Sequence, residues 1–350
     1  MIEIDGSYGE GGGQLLRTAL SLAAITGQGI RIEHIRARRS KPGLRAQHLA
    51  AVRAVAEICA AQLEGAELDS RSLTFVPSRP PQPGQYRWSI GTAGATSLVF
   101  QTVLWPLASA GAPSQVTVTG GTHVDWSPPI DYVQQVYLPA LSTVSGASVA
   151  QVVIEEWGWY PRGGGTIQAT IAGDSQLHGL HLSSRGSLCK VSVLSAASNL
   201  PEHIRQRQAK QADLMLRKQG IKPQVKSIDP PSPGQGTAVF VLAEYDKTRA
   251  GFTSYGRIRK PAERVAEEAC RGFARFHKRG RPVDRYLADQ LLLPLALADD
   301  DSQYVASEIT QHLVTNAWLI QQFLDVCIVI EGKEREPGIV KLSISRNLYV

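Results

Sequence analysis

The sequence predicts a mixed α/β (α+β) chain built from three copies of a strand, helix, strand, helix, strand, strand unit, a smaller α/β domain being inserted in the third copy. Three observations predict it. Glycine-opened apolar helices followed by alternating strand patterns recur along the chain. A single offset of 84 residues carries Arg17-Thr18 onto Gln101-Thr102 and Arg45 onto Pro129, and one offset serving two helices marks a duplication. The matching step from Pro129 to Leu313 is 184 residues, roughly a hundred too many for an uninterrupted third copy.

The elements follow in order. The first unit has a helix at 12–25, a strand at 30–35, a second helix headed by Arg45, and closing strands at 72–75 and 86–90. The second has a helix at 94–108, a strand at 115–119, a helix headed by Pro129, and strands at 148–155 and 165–170. In the third, 286–298 is the first helix and 304–307 the strand; 312–324 is the second helix, with Leu313, Ile320, Phe323 and Leu324 facing inward, and 327–331 and 338–345 close the unit. The surplus falls at 180–280, where strands at 189–194 and 238–243 alternate with long polar helices at 201–219 and 261–276. Within it, 230–236 reads as an exposed Pro/Gly/Ser loop. The large domain is then 1–179 with 281–350.

Composition excludes several classes. The 350 residues are 43% hydrophobic and 19% charged, which suits a folded chain of about two to three domains and not extended disorder. The longest apolar run, at 291–298, contains Pro294, whereas a membrane helix needs about twenty residues. The opening Met1-Ile2-Glu3-Ile4-Asp5 is acidic where a secretory leader is basic, so a cytoplasmic location is expected. Cys59, Cys189, Cys270 and Cys327 form no Cys-x-x-Cys pair and are expected as reduced core thiols, neither disulfide nor zinc ligands. A net charge of +6 permits a polyanionic partner.

Three segments have the residue types that chemistry needs. Asp5-Gly6-Ser7-Tyr8-Gly9-Glu10-Gly11-Gly12-Gly13-Gln14 joins a short strand to the first helix. Such a turn can aim backbone N–H groups at phosphate. It lacks the Gly-Lys-Ser/Thr ending of a phosphate-binding loop and has Gln14 where the dinucleotide fingerprint has a last glycine, so a tight packing turn is the alternative. Glu10 suits a divalent cation beside phosphates. The second segment, 36–45, has five basic residues in ten. Arginine forks grip phosphate oxygens, while adjacent residues such as Arg38 and Arg39 are expected on opposite faces of an extended strand; a solvated basic loop is the alternative. The third, Thr310 to Asn316, opens a helix that Thr310 or Ser307 caps. There His312 feels the positive end of the helix dipole, which favours neutral imidazole and an anionic ligand. A packing histidine is the alternative. Gln101 and the stretch Tyr286-Leu-Ala-Asp289-Gln290 place polar groups in apolar helices, where they need partners.

Taken together, Asp5-Gly-Ser-x-Gly-Glu-Gly-Gly-Gly-Gln-x-x-Arg17, Arg36-x-x-Arg39-x-Lys-Pro-Gly-Leu-x-x-Gln47-His48-Leu, Tyr286-Leu-Ala-Asp-Gln290 and His312-Leu-x-Thr-Asn316 resemble the RNA 3'-terminal phosphate cyclases over essentially the whole length. The resemblance implies three βαβαββ units like the C-terminal domain of translation initiation factor three, with a domain inserted in the third. It implies ATP-dependent conversion of RNA 3'-phosphate ends to 2',3'-cyclic phosphates through a covalent histidine-AMP and an RNA-adenylate. Carried onto this sequence, His312 is the nucleophile and Glu10 holds the metal, Mg²⁺ or Mn²⁺. Arg17, Arg36, Arg39, Gln47 and His48 line the site for phosphate and the RNA end. Gln101, Pro128, Tyr286, Asp289 and Gln290 contact the adenylate of the ATP substrate. Arg38 departs from the family pattern, standing where a small residue is usual, which leaves open how RNA passes it.

Two other classes are weighed. A relative that lacks the histidine acts in ribosome assembly, so a cyclase-like RNA-binding factor is the main alternative, and His312 discriminates against it. An enolpyruvyl transferase has six related units where this sequence has three. Membrane partners are not expected, and a homodimer is left open.

Overall fold

Alternation in the first strands sends isoleucines to one side: in β1 (Ile2–Asp5) and β2 (Ile30–Glu33), Ile4, Ile30 and Ile32 are buried. In the computed structural model, which describes residues 1–344, this pattern starts the first of four sheets. Helix α1 (Gly13–Thr26) connects the two parallel strands, and α2 (Ala46–Cys59) leads to β3 (Gln62–Glu64) and β4 (Leu73–Val76), giving the order β1-β2-β4-β3. The next elements are β5 (Gln85–Ser89), α3 (Thr96–Ala108) and β6 (Ser114–Gly120). A helix follows in three stretches, α4 (Ile130–Tyr132), a π-helical turn Val133–Tyr137 and α5 (Leu138–Ser145), and then β7 (Ala150–Glu156) and β8 (Gly165–Ile171). Their sheet order is β5-β6-β8-β7, the same topology. Arg45 and Pro129, related by the 84-residue offset, are both helix N-caps.

A two-residue strand, β9 (His181–Leu182), lies within the expected 180–280 insertion and pairs with β14 of the third sheet, introduced below. Between them run β10 (Leu188–Ser198), α6 (Glu202–Arg217), β11 (Gln224–Ile228), β12 (Gly236–Tyr245), β13 (Arg249–Tyr255) and α7 (Ala262–Arg279), with sheet order β11-β10-β12-β13. The chain then returns through α8 (Leu287–Gln290), α9 (Leu292–Ala296), β14 (Ser302–Ala306), α10 (Gln311–Ile320), β15 (Val326–Glu331) and β16 (Gly338–Ile344). The third sheet reads β9-β14-β16-β15, again the same topology. Helices α1, α2, α3, α9 and α10 contribute to one large apolar core, which also takes Phe240 and Leu242 from β12. A separate core forms where β10, β12 and β13 face α6 and α7.

Several expectations need correction. The strand at 86–90 opens the second sheet; the first sheet is completed by β3, whose three residues carry one apolar side chain, Leu63, too short a pattern to read. The helix at 286–298 is broken at Leu291, because Pro294 has no N–H to donate back toward Gln290. The helix at 312–324 ends at Ile320. Ser345, assigned to the last strand, lies outside the described residues. Cys59 and Cys270 are buried but Cys189 and Cys327 are exposed, and all four are free. The 230–236 loop is held against the body: Pro231 O accepts from Trp157 N, and Asn199 Nδ2 donates to Ser232 O and Gly234 O.

Candidate active site

The turn between β1 and α1 is glycine-rich for two reasons that the structure makes explicit. Gly9 and Gly11 have φ of +59° and +58°, where a side chain is strained. A Cβ on Gly9 would also sit 2.1 Å from Thr315 Oγ1. The turn therefore lies directly on α10, and Tyr8 stacks on Trp318 of that helix at 3.9 Å between ring centroids. Thr310 caps α10 by accepting from Leu313 N at 3.2 Å. This packing delivers Glu10 and Gln14 to His312, in the first turn of the helix.

His312 Nδ1 lies 2.5 Å from Gln14 Oε1 and 2.7 Å from Glu10 Oε2. Both neighbours accept, so Nδ1 carries the hydrogen and donates it to Gln14; in the neutral ring the lone pair is then on Nε2. Among the described residues Nε2 has no hydrogen-bond partner, and the side chain is 47% exposed. Gln14 Nε2 donates in turn to Asp289 Oδ2. Burial pushes the Asp289 carboxyl up to about 6, against the pull of His312, Gln14 and Arg17. Asn316 Nδ2 donates to Asp289 O at 3.0 Å, which ties α8 to α10.

Glu10 Oε1 takes the Arg39 guanidinium, while Oε2 is buried and faces His312 Nδ1 at 2.7 Å. The neighbouring His312, and then Arg39, hold this carboxyl below the usual carboxylate range although burial opposes them. Burial lowers Arg17 to about 10, and the Asp289 and Glu10 carboxylates offset part of that cost. Among the described residues no group of three or more His, Cys, Asp or Glu side chains is placed to hold a metal ion.

The basic run is a turn and not a continuation of β2, so Arg38 and Arg39 do not point to opposite faces. Arg38 Nη1 donates to Gly9 O at 3.1 Å and Arg39 pairs with Glu10, both reaching the glycine turn. Arg36 has φ +55° and donates to Lys41 O and Gly43 O at 2.7 and 2.9 Å, which closes its own loop. His48 Nδ1 accepts from Arg45 N at 3.1 Å. Burial first, then Arg17, Arg36 and Arg45, lower His48 to about 3, so it is neutral. Gln47 Oε1 accepts from Ala95 N at 3.1 Å and ties α2 to the N-cap of α3.

On the other side, Gln101 Nε2 donates to Gln290 Oε1 and Gln290 Nε2 to Tyr286 O, each at 2.6 Å. Tyr286 meets Tyr132 edge-on at 6.3 Å, and the Tyr132 hydroxyl donates to Asp284, which also caps α8 through Tyr286 N and Leu287 N. Pro128 precedes the N-cap of the helix bearing Tyr132. Thus His312, Glu10, Asp289, Arg17 and Arg39 form one group, which His48 borders, since a Cβ on Gly13 would lie 2.2 Å from His48 Nε2 and 3.1 Å from Arg17 Nη1; Gln101, Gln290 and Tyr286 form a second, and Gln47 holds the N-cap of α3. Sequence reasoning assigned no role to Gln14, Tyr8 or Asp284. The one available signal for Gln14 was a long polar side chain at the point where a glycine turn enters an apolar helix.

Comparison with known proteins gives a consistent match. The family model described as RNA 3'-terminal phosphate cyclase matches residues 8–330. A protein of that name from Nostoc punctiforme is 50% identical over 329 residues, covering 92% of this chain and 94% of its own. One from Trichormus variabilis is 49% identical over 345 residues, covering 97% and 99%, and one from Methanopyrus kandleri 41% over 350 residues, covering 98% of each. Among solved structures, the enolpyruvyl transferase NikO from Streptomyces tendae matches 49% of this chain and 33% of its own at 14% identity, with a TM-score of 0.26. On the family match and the identity to proteins that this chain spans almost from end to end, it belongs to the RNA 3'-terminal phosphate cyclase family.

Proposed function

We propose that this protein converts an RNA 3'-phosphate to a 2',3'-cyclic phosphodiester, consuming ATP, with His312 carrying AMP between the two substrates. The observation that supports this most directly is the pair of acceptors on Nδ1, which leaves the lone pair on Nε2 of a half-exposed side chain. Nε2 attacks the α-phosphorus; the bond to the β-phosphate oxygen breaks and pyrophosphate leaves. Positive charge that builds on the ring is met by Glu10 and Gln14 at Nδ1. An oxygen of the RNA 3'-phosphate then attacks the same phosphorus, the P–N bond breaks, and His312 is regenerated. In the last step O2' attacks the 3'-phosphorus and gives its proton to solvent, the P–O bond to the adenylate breaks, and AMP leaves. The ribose holds O2' close, so positioning counts for more than a strong base.

In this reading Arg17, Arg36 and Arg39 offer positive charge to the phosphates, with Gln47 and His48 bordering the RNA end. Gln101, Pro128, Tyr286, Asp289 and Gln290 frame the adenylate. Gln14 is a positioning residue, held by Asp289. Glu10, a carboxylate that His312 and Arg39 hold below its usual range at the glycine turn, suits a divalent cation, and Mg²⁺ or Mn²⁺ bound there would offset charge on the ATP phosphates. We read 180–280 as an inserted domain within a large domain made of 1–179 and 281–350, apart from β9, which pairs with the third sheet.

The test is incubation with α-labelled ATP and Mg²⁺ or Mn²⁺. Acid-labile, base-stable label is expected on the wild-type protein and absent in His312→Ala. A wild-type protein that takes no label would instead favour a non-catalytic RNA-binding or ribosome-assembly role.

A further inference from the structure

Among the described residues, and apart from the terminal Met1, the three most exposed large apolar side chains are Trp126 at 97%, Ile258 at 96% and Tyr160 at 74%. They lie on three loops that the fold brings together. Asp125 and Arg257, the residues immediately before Trp126 and Ile258, form an ion pair at 2.9 Å. His123 bridges to Trp159, the residue before Tyr160, and its ring lies flat on Trp157 at 3.7 Å. The His123 ring is itself anchored, with Thr122 Oγ1 at 2.8 Å from Nδ1 and Asp131 Oδ2 at 2.6 Å from Nε2. The exposure of the three side chains is therefore a property of well-held loops.

The surroundings are basic. Arg162, Arg257 and Arg259 are exposed on the same loops, and among the described residues only Arg257 of the three has a carboxylate within ion-pair distance. Trp126 and Arg259 both have left-handed backbone, φ +65° and +68°, which turns them out of the path of the chain. The position is next to the site. Gly121, at the start of the tryptophan loop, bridges to Ala95, which is hydrogen-bonded by Gln47; at its other end the loop runs through Pro128 into the helix whose Tyr132 meets Tyr286.

We propose that Trp126, Ile258 and Tyr160 form a platform on which bases of single-stranded RNA stack upstream of the reacting 3' end, with Arg162 and Arg259 on its phosphates. Exposed aromatic surface interleaved with unpaired guanidinium groups fits that ligand, because every base has a stacking face and every linkage a charge. The inference rests on the reading of RNA as substrate, and it adds a subsite distinct from the groups around His312.

The test measures binding of a fluorescent single-stranded oligoribonucleotide of about fifteen nucleotides with a 3'-phosphate. Trp126→Ala and Ile258→Ala are expected to raise its Kd about tenfold, Trp126→Phe much less, and Arg162→Glu with Arg259→Glu should flatten its salt dependence. KM for a 3'-phosphorylated dinucleotide and labelling by ATP alone should stay at wild-type values in Trp126→Ala. An unchanged Kd for the long oligonucleotide overturns the platform. So does a change in the sedimentation of the protein alone with RNA affinity intact, which would make this face a protein contact. Absence of ATP labelling in the wild type would count against the cyclase reading, while the Kd comparison would still decide the platform.

Discussion

A histidine can attack phosphorus through only one ring nitrogen at a time, and at position 312 that choice is made by Gln14 and Glu10, which both accept at Nδ1. Replacing Gln14 with leucine keeps the helix and leaves Glu10 as the acceptor on Nδ1, but removes the link through which Asp289 holds the ring in place. In Gln14→Leu the single-turnover rate of labelling by ATP is expected to fall by about tenfold; labelling at the wild-type rate would contradict a positioning role for Gln14. His48 makes a second prediction, about stability. Its pKa is lowered from 6.5 to about 3 in the fold, so its neutral form contributes stability that is complete above pH 6.5 and is lost as pH falls toward 3. Within that window the loss is about 1.4 kcal/mol per pH unit. His48→Gln lacks this dependence, so the gap in urea-derived stability between wild type and variant should narrow on acidification. Asp284 and Asp289, both raised to about 6 by burial, have the opposite sign below pH 6 but are common to both proteins and cancel. A gap that does not change with pH would mean that His48 is not held neutral. Residue identities at this scale were legible in the sequence; the partners were not, because Gln14 and His312 are 298 positions apart.

At the scale of elements, the glycine cluster announced a tight turn, and its packing on α10 accounts for the glycine at position 9. Gly9→Ala places a methyl group in left-handed backbone and against Thr315 Oγ1 at 2.1 Å. A loss of roughly 2–4 kcal/mol in denaturant unfolding is expected. Adding Thr315→Ala removes the nearest clashing atom and should recover part of it, leaving a backbone cost of about 1–2 kcal/mol. No recovery in the double variant would show that the turn does not rest on this helix. The same scale shows why other elements were missed. β3 is too short for its alternation to register, and the basic run was read as strand although Arg36 takes a positive φ and closes a turn through Lys41 O and Gly43 O. Side-chain-to-backbone bonds of this kind, and not apolar periodicity, set that geometry.

At the scale of the molecule, β12 is the strand that couples the fourth sheet to the rest. Val239, Val241 and Ala243 face α6 and α7, whereas Phe240 and Leu242 enter the large core, where Gly251 brings backbone against Tyr132 and Phe240. Phe240→Ala should cost about 3–5 kcal/mol. It is expected to speed hydrogen exchange in β10 to β13 with little change in α1 and β2. Uniform acceleration in all four sheets would mean that they unfold as one unit.

What sequence alone determined was local: the apolar periods of the helices and strands, the glycines that a turn requires, the 84-residue echo and the types of residue available for chemistry. Each of these depends on neighbouring residues or on a pattern repeated along the chain, so a linear reading reaches it. Tertiary structure decided which groups meet. Glu10 faces His312, Gln14 joins His312 to Asp289, Gln101 reaches Gln290, and both Arg38 and Arg39 turn to one loop. These meetings follow from the stacking of helices and turns from separate units around a shared core, and hydrogen bonds across such separations form only once that packing has placed both partners.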